Sequence, residues 1–246
     1  MTSHATPATL SCFVTGTDTE IGKTLVSCAL LLFWQQEGLR TLGLKPIAAG
    51  ADEVDGELHN EDVDALAACS TEQPAMGART PYLLRTPAAP HIAAELEGVR
   101  IEPQLILERV TQLRSQAQAV VVEGVGGFRV PLNDDADTAD LAASLNLPVI
   151  LVVGLRLGCI NQALLTYEAI VSRGLQVAGW VANHGPSEMA FASANVQALQ
   201  RRMRAPLLGV MARVAGETAA ERAQHAVQHL DAAAVRQAFS RWSNRV

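Results

Sequence analysis

The sequence predicts an α/β protein: one doubly wound domain spanning residues 1–246, built on a mainly parallel sheet. Three observations lead there. A glycine-bounded loop, GTDTEIGKT (16–24), joins an apolar β-prone run to a helical pattern. The later runs AVVVE, PVILVVG, VAGWVAN and PLLGVM are short and continuously apolar, as in strands covered on both faces. Stretches with helical periodicity separate them, and parallel strands need such crossovers.

Taken in order, residues 1–9 are expected to be a disordered extension, and Leu10 to Val14 form the first strand. The run LVSCALLLFW after Lys23 and Thr24 gives the first helix. A short strand, Thr41 to Leu44, ends at Lys45-Pro46. The acidic stretch 51–64 is expected as loop, carrying Asp62 into a helix over Ala65 to Ala68. Residues 72–90, rich in Pro and Thr, are expected to be a long surface connection, and such length suggests a functional loop. A helix over Pro103 to Gln116 shows Leu105, Leu107, Val110 and Leu113 as apolar positions. The VVVE strand closes on the Gly-rich run Gly124 to Gly127. Helices near Thr138 to Leu145, Ile160 to Ser172 and Ala190 to Met203 alternate with the remaining strands. The tail from Ala226 to Trp242 is expected as a helix packed on its own domain rather than a membrane anchor.

Composition narrows the classes. A chain of 246 residues, 49% apolar, can bury one large core. The formal charge of −6 argues against a general nucleic-acid surface. Cys12, Cys28, Cys69 and Cys159 lack paired metal-type spacing, so buried free thiols in a reducing compartment are expected. No basic, apolar leader opens the chain, and no run is long enough to span a bilayer. A soluble cytoplasmic protein is expected.

The chemistry-bearing residues fall at the carboxyl ends of the strands, where ligands bind in such sheets. The loop 16–24 has the strand–loop–helix context of a phosphate cradle, in which backbone N–H groups and the helix dipole face phosphate oxygens. Five residues, Thr17 to Ile21, separate its glycines where the usual pattern has four. Lys23 is placed to reach the β/γ-phosphates and Thr24 to offer its hydroxyl to Mg²⁺. Lys45 follows the second strand, Glu123 ends another and Asn183 ends VAGWVAN. Each has a plainer explanation: Lys45 as a solvated strand terminus, Asp62 as a helix cap, Asn183 as a turn residue. Glu123 is the most telling, because a carboxylate ending an apolar strand needs a charged partner or a metal.

GTDTEIGKT, GLKPIAAG, HNEDVDALA, TPAAPHIAAELEG, VVVEGVGGFRVPL, LPVILVVGLRLGCINQALLT and GWVAN together resemble the dethiobiotin synthetase family, from about Leu10 to Met211. The resemblance implies a P-loop NTPase scaffold, ATP and Mg²⁺ as cofactors, and a homodimer. It implies a cyclo-ligase that joins CO₂ to 7,8-diaminononanoate through a carbamate and a carbamic–phosphoric anhydride. It further implies nucleotide contacts from Glu20, Ile21, Gly22, Lys23, Thr24, Leu25, Asp62, Glu123, Gly124, Val125, Gly126 and Asn183. Lys45 and Lys23 would be catalytic, and Thr24, Asp62 and Glu123 would hold the metal. Substrate would meet Thr19, Lys45, Gly126, Cys159, Ile160 and Asn161, the last three at a helix start that takes the carboxylate tail across the dimer interface.

Where the family often has Ser, this chain has Ala49 and Ala89, and His184 stands where Asp is common. Loss of the hydroxyl at Ala49 removes one hydrogen bond, worth ~1 kcal/mol net. His91 is expected to be a packing or capping residue. The alternative is a partitioning-type nucleotide switch, but its early loop lysine is absent from Gly16, Thr17 and Asp18. An amide-forming ligase on the same scaffold would carry a glutamine-hydrolysing domain, which is not expected here.

Overall fold

A computed structural model gives the fold, and it describes residues 9–185, 188–213 and 215–243. All but Thr9 of the expected N-terminal extension therefore lies outside the described residues. The phosphate-loop half contains β1 (Leu10–Gly16), α1 (Lys23–Gln36), β2 (Thr41–Leu44), β3 (Ile47–Ala49), β4 (Asp52–Val54), β5 (Glu57–His59) and α2 (Glu61–Ala68). It continues through α3 (Met76–Arg79), β6 (Tyr82–Leu84), α4 (Pro90–Leu96), α5 (Pro103–Arg114) and β7 (Ala119–Glu123). Then follow α6 (Thr138–Leu145), β8 (Val149–Leu155), α7 (Cys159–Ser172), β9 (Val177–His184) and α8 (Ala192–Gln200). β10 (Leu207–Met211), α9 (Ala219–Ala226) and α10 (Ala232–Ser243) complete the order.

Six strands form one sheet in the order β10-β9-β8-β1-β7-β2, and every neighbouring pair is parallel. Because strand side chains alternate, each strand feeds two cores. Phe13, Val120, Val122, Leu151 and Val153 face the layer that holds α5, α6, α7 and α8. Cys12, Val14, Val121, Ile150 and Val152 face α1, α2, α9 and α10. That is why these strands read as unbroken apolar runs. α1 is sandwiched between the sheet and the C-terminal helices, so Val26, Ala29, Leu30, Leu31 and Trp34 are all buried. Trp34 meets Phe239 edge-on with ring centroids 4.9 Å apart, and Val235 is fully buried. The terminal helix thus packs on its own domain, as expected. Among the described residues, no helix is long and apolar enough to cross a membrane. The four cysteines are buried and free.

Three expectations need correction. The acidic stretch is not a loop: β4 and β5 pair antiparallel across Asp55-Gly56, whose φ values of 53° and 83° suit a primed hairpin turn. α2 then starts at Glu61, four residues early, because Asn60 Oδ1 accepts from Asp62 N at 3.2 Å and Val63 N at 3.4 Å. Asp62 therefore sits in the first turn of a helix. Nor is the segment 72–90 a plain connection. It holds α3, and β6 pairs in parallel with β3 in a small second sheet. Finally, α5 turns Ile106, Val110 and Leu113 inward and leaves Leu105 exposed, and α8 is shorter at both ends than the periodicity suggested.

Candidate active site

The carboxyl ends of β1, β7 and β2 lie side by side, and this register builds the site. Val14 of β1 aligns with Glu123, and Leu44 of β2 aligns with Val122, so Lys45 emerges beside Glu123. Lys45 Nζ donates to Glu123 Oε1 at 2.6 Å and to Asp62 Oδ2 at 2.8 Å. Thr24 Oγ1 donates to Asp62 Oδ1 at 2.6 Å and to Glu123 Oε1 at 2.9 Å. One ammonium, one hydroxyl and two carboxylates therefore share a knot drawn from two strands' ends and two helix starts.

Lys45 and Glu123 are fully withdrawn from solvent, whereas Asp62 keeps 43% of its side chain exposed. Burial alone would pull the Lys45 ammonium down, but the charges of Glu123 and Asp62 outweigh it and hold its pKa above the usual lysine value. Burial would likewise raise Asp62, yet Lys45 beside it keeps the carboxyl below its ordinary value. Among the described residues Lys23 has no carboxylate in contact. Its Nζ donates to the Asp18 carbonyl at 2.9 Å, and burial with the nearby Lys45 charge pulls its pKa down to about 8.

Above this knot opens a cavity of about 720 Å³. Thr19, Glu20, Gly22, Lys23, Thr24, Lys45, Asp62, Val125 and Gly126 line it. Gly126 has φ +63°, and a Cβ there would meet Val130 at 3.0 Å and Thr19 Oγ1 at 3.6 Å. Gly124 donates its N–H to the Val14 carbonyl at 2.9 Å, which fixes the Gly-rich loop against β1. Ile21 and Asn183 sit just outside the cavity. Asn183 Nδ2 donates to the Ile21 carbonyl at 2.8 Å, across 162 residues, and its Oδ1 is buried without a partner. Asn183 is therefore no local turn residue. Leu25 lines a smaller recess of about 60 Å³ with Cys28, Asp62 and Arg222.

Gly22 makes the loop's sharpest demand. Its φ is +87°, and a Cβ would fall 2.2 Å from Asn183 Nδ2. Gly22→Ala is expected to cost about 2 kcal/mol through left-handed strain and the displaced amide. In a chain of this size that lowers Tm by roughly 4–8 °C, readable by thermal denaturation.

Other expected residues are not brought to the cavity. Cys159 is completely buried in the core, so only its main chain could meet a ligand, while Asn161 lies exposed at the start of α7. Within one chain this helix start does not line the cavity. His91 caps nothing: α4 has no side-chain cap, and the buried His91 Nδ1 has no partner. Missed were Asn60, Pro87, Ala88, Pro90 and Val130, all of which line the cavity with Ala49 and Ala89. Asn60 before two acidic residues was a readable helix-start signal. The proline turn carried no such mark.

A family described as an AAA domain matches residues 11–219. An ATP-dependent dethiobiotin synthetase, BioD, of Aromatoleum aromaticum is 57% identical over 209 residues, 85% of this chain and 93% of that protein. Its namesake from Janthinobacterium sp. (strain Marseille) is 56% identical over 212 residues, 85% of this chain and 90% of that protein. Among solved structures, a ParA family ATPase from Chlorobium tepidum has a TM-score of 0.55 at 11% identity, covering 97% of this chain and 100% of that one. The septum site-determining protein MinD of Pyrococcus horikoshii, solved with Mg-ADP, has a TM-score of 0.53 at 18% identity, covering 97% and 96%. At such identities the solved structures establish the P-loop NTPase fold alone. The sequence relatives go further: this chain belongs to the ATP-dependent dethiobiotin synthetase family.

Proposed function

We propose that the protein uses ATP to carboxylate 7,8-diaminononanoate and close it to the cyclic urea dethiobiotin, releasing ADP and phosphate. The buried Lys45, pointing into a cavity bounded by the phosphate loop and the Gly124 to Gly126 loop, is the observation that carries this reading.

In this reading, Glu20 to Leu25 surround the phosphates with backbone N–H groups at the start of α1, where the helix dipole favours negative charge. Thr24, Asp62 and Glu123 would hold Mg²⁺. Their three oxygens already converge, and Glu123 Oε2 is buried without a partner, so the donor set fits a hard cation. No group of three His, Cys, Asp or Glu that could hold a metal occurs among the described residues. Mg²⁺ asks for fewer, since one or two carboxylates beside phosphate and water suffice. Bound there, it would offset the triphosphate charge.

Lys45 stabilises the carbamate that forms when an amine of the substrate captures CO₂. The carbamate oxygen then attacks the γ-phosphate, and Lys23 follows that group as charge develops on it. The second amine closes the ring on the resulting carbamic–phosphoric anhydride and expels phosphate. Thr19 and Gly126 position the diamine beside Lys45. Asn183 spends its amide nitrogen on Ile21, which leaves Oδ1 as an acceptor suited to the exocyclic amine of adenine.

Cys159, Ile160 and Asn161 would receive the substrate carboxylate from a second copy, making the protein a homodimer. Two features support this: the same helix start does not line its own cavity, and Leu157 beside it is 96% exposed. One domain suffices for the whole reaction, in the cytoplasm, without nucleic-acid or membrane partners. The test is purified protein with ATP, Mg²⁺, bicarbonate and the diamine, followed by mass spectrometry. Cyclic urea is the expected product, dependent on all four. Turnover that ignores the diamine and responds to DNA or lipid would instead favour a partitioning-type switch.

A further inference from the structure

Asp18 stands inside the phosphate loop, and its carboxylate gathers donors from two directions. Oδ1 accepts from Thr19 N at 2.8 Å. Oδ2 accepts from Arg156 Nη2 and, at 3.5 Å, from Gln162 Nε2. Neither of the latter is local. Arg156 occupies the corner between β8 and α7, where its carbonyl accepts from Cys159 N at 2.9 Å. Gln162 lies in the first turn of α7. The main chain of the same aspartate is gripped from the other side, since its carbonyl takes the Lys23 ammonium. A single residue thus links the phosphate-facing lysine to the beginning of α7.

The Arg156 and Asp18 side chains are 53% and 41% exposed, and pairs so exposed add little to folding stability. Their importance is geometric. The geometry points to Asp18 and Arg156 as positioning residues that couple nucleotide occupancy of the phosphate loop to diamine affinity at the start of α7. This rests on the reading above that the helix start receives the substrate carboxylate. A ligand shifts an equilibrium only through contacts that differ between two states. Here the differing contact is Lys23 Nζ on the Asp18 carbonyl. A γ-phosphate competes for that ammonium and frees the Asp18 peptide to re-set. Its carboxylate carries the movement to Arg156, three residues before Cys159. By linkage the diamine must strengthen nucleotide binding by the same factor.

Calorimetric titration of the diamine, with and without a saturating non-hydrolysable ATP analogue and Mg²⁺, tests this. In the wild type the nucleotide is expected to tighten diamine binding by about fivefold or more. Arg156→Gln or Asp18→Asn should reduce that ratio to less than about twofold, and Arg156→Gln should change nucleotide affinity alone by less than about threefold. Arg156→Lys should retain most of the coupling, and the double variant should lose no more than either single one. In turnover Arg156→Gln should raise the diamine KM while kcat holds. An unchanged ratio in the single variants, additive losses in the double, or no coupling in the wild type would overturn the proposal. A diamine of matched length lacking the carboxylate separates the two readings. If it binds wild type as tightly as the acid, the helix-start assignment fails. If it binds more weakly yet the variants keep the coupling, only the bridge fails.

Discussion

Lys45→Ala is expected to lower turnover by more than about 10³-fold, the scale on which enzymes lose a preorganised charge aimed at the reacting group. Nucleotide affinity should be largely kept, because the loop backbone and Lys23 are untouched. The variant should also lose stability. Glu123 is buried, and Lys45 is its one ion-pair partner among the described residues. Removing one partner of such a pair costs about 3–5 kcal/mol. Activity and stability can be separated with Lys45→Met/Glu123→Gln, which removes both charges: stability should largely return, and turnover should not. The pH dependence has a definite sign. The folded-state pKa of Lys45 lies above its ordinary 10.5, so its contribution is complete below 10.5 and disappears as pH climbs through the raised value. Asp62 is depressed, so its share is complete above 3.8 and is lost as pH falls through the lowered value. Full activity of Lys45→Ala with saturating bicarbonate would end the role given to this lysine.

Lys23→Met should do the opposite to stability. The folded chain holds this amine at about 8 against 10.5 in the unfolded chain. Below 8 both states bind the proton and the burden on the fold is complete. Between the two values the unfolded chain binds more protons, so the wild type gains stability as pH rises. The shift corresponds to about 3 kcal/mol, from which the lost bond to the Asp18 carbonyl must be subtracted. Without nucleotide, Lys23→Met is therefore expected to melt roughly 3–6 °C higher at neutral pH, an advantage that shrinks towards pH 10. With nucleotide present the order should reverse, since only the wild type gains the ligand's stabilisation. Turnover and nucleotide engagement should fall together. A variant that melts lower without nucleotide, or that keeps its nucleotide dependence, would show that this amine is not held under electrostatic strain for a phosphate.

The phosphate loop, the strands and the crossover helices were legible because each depends on neighbours in sequence: glycine spacing, apolar runs and 3.6-residue periodicity. Asp55-Gly56 and Asn60 were equally local, so the hairpin and the early start of α2 were signals present but unread. Other features had no local trace. β6 is three residues long, and only its pairing with β3 makes it a strand. His91 carried a capping signal that the fold does not use.

By itself the sequence determined the scaffold and the position of the phosphate loop within it, since those properties reside in short stretches. Tertiary structure alone decided that Lys45 would lie against Glu123, that Asn183 would spend its nitrogen on the loop, and that Arg156 would reach Asp18. Those partners are separated by 78, 162 and 138 residues. Contacts across such distances are created by strand order and register, and no local pattern encodes either.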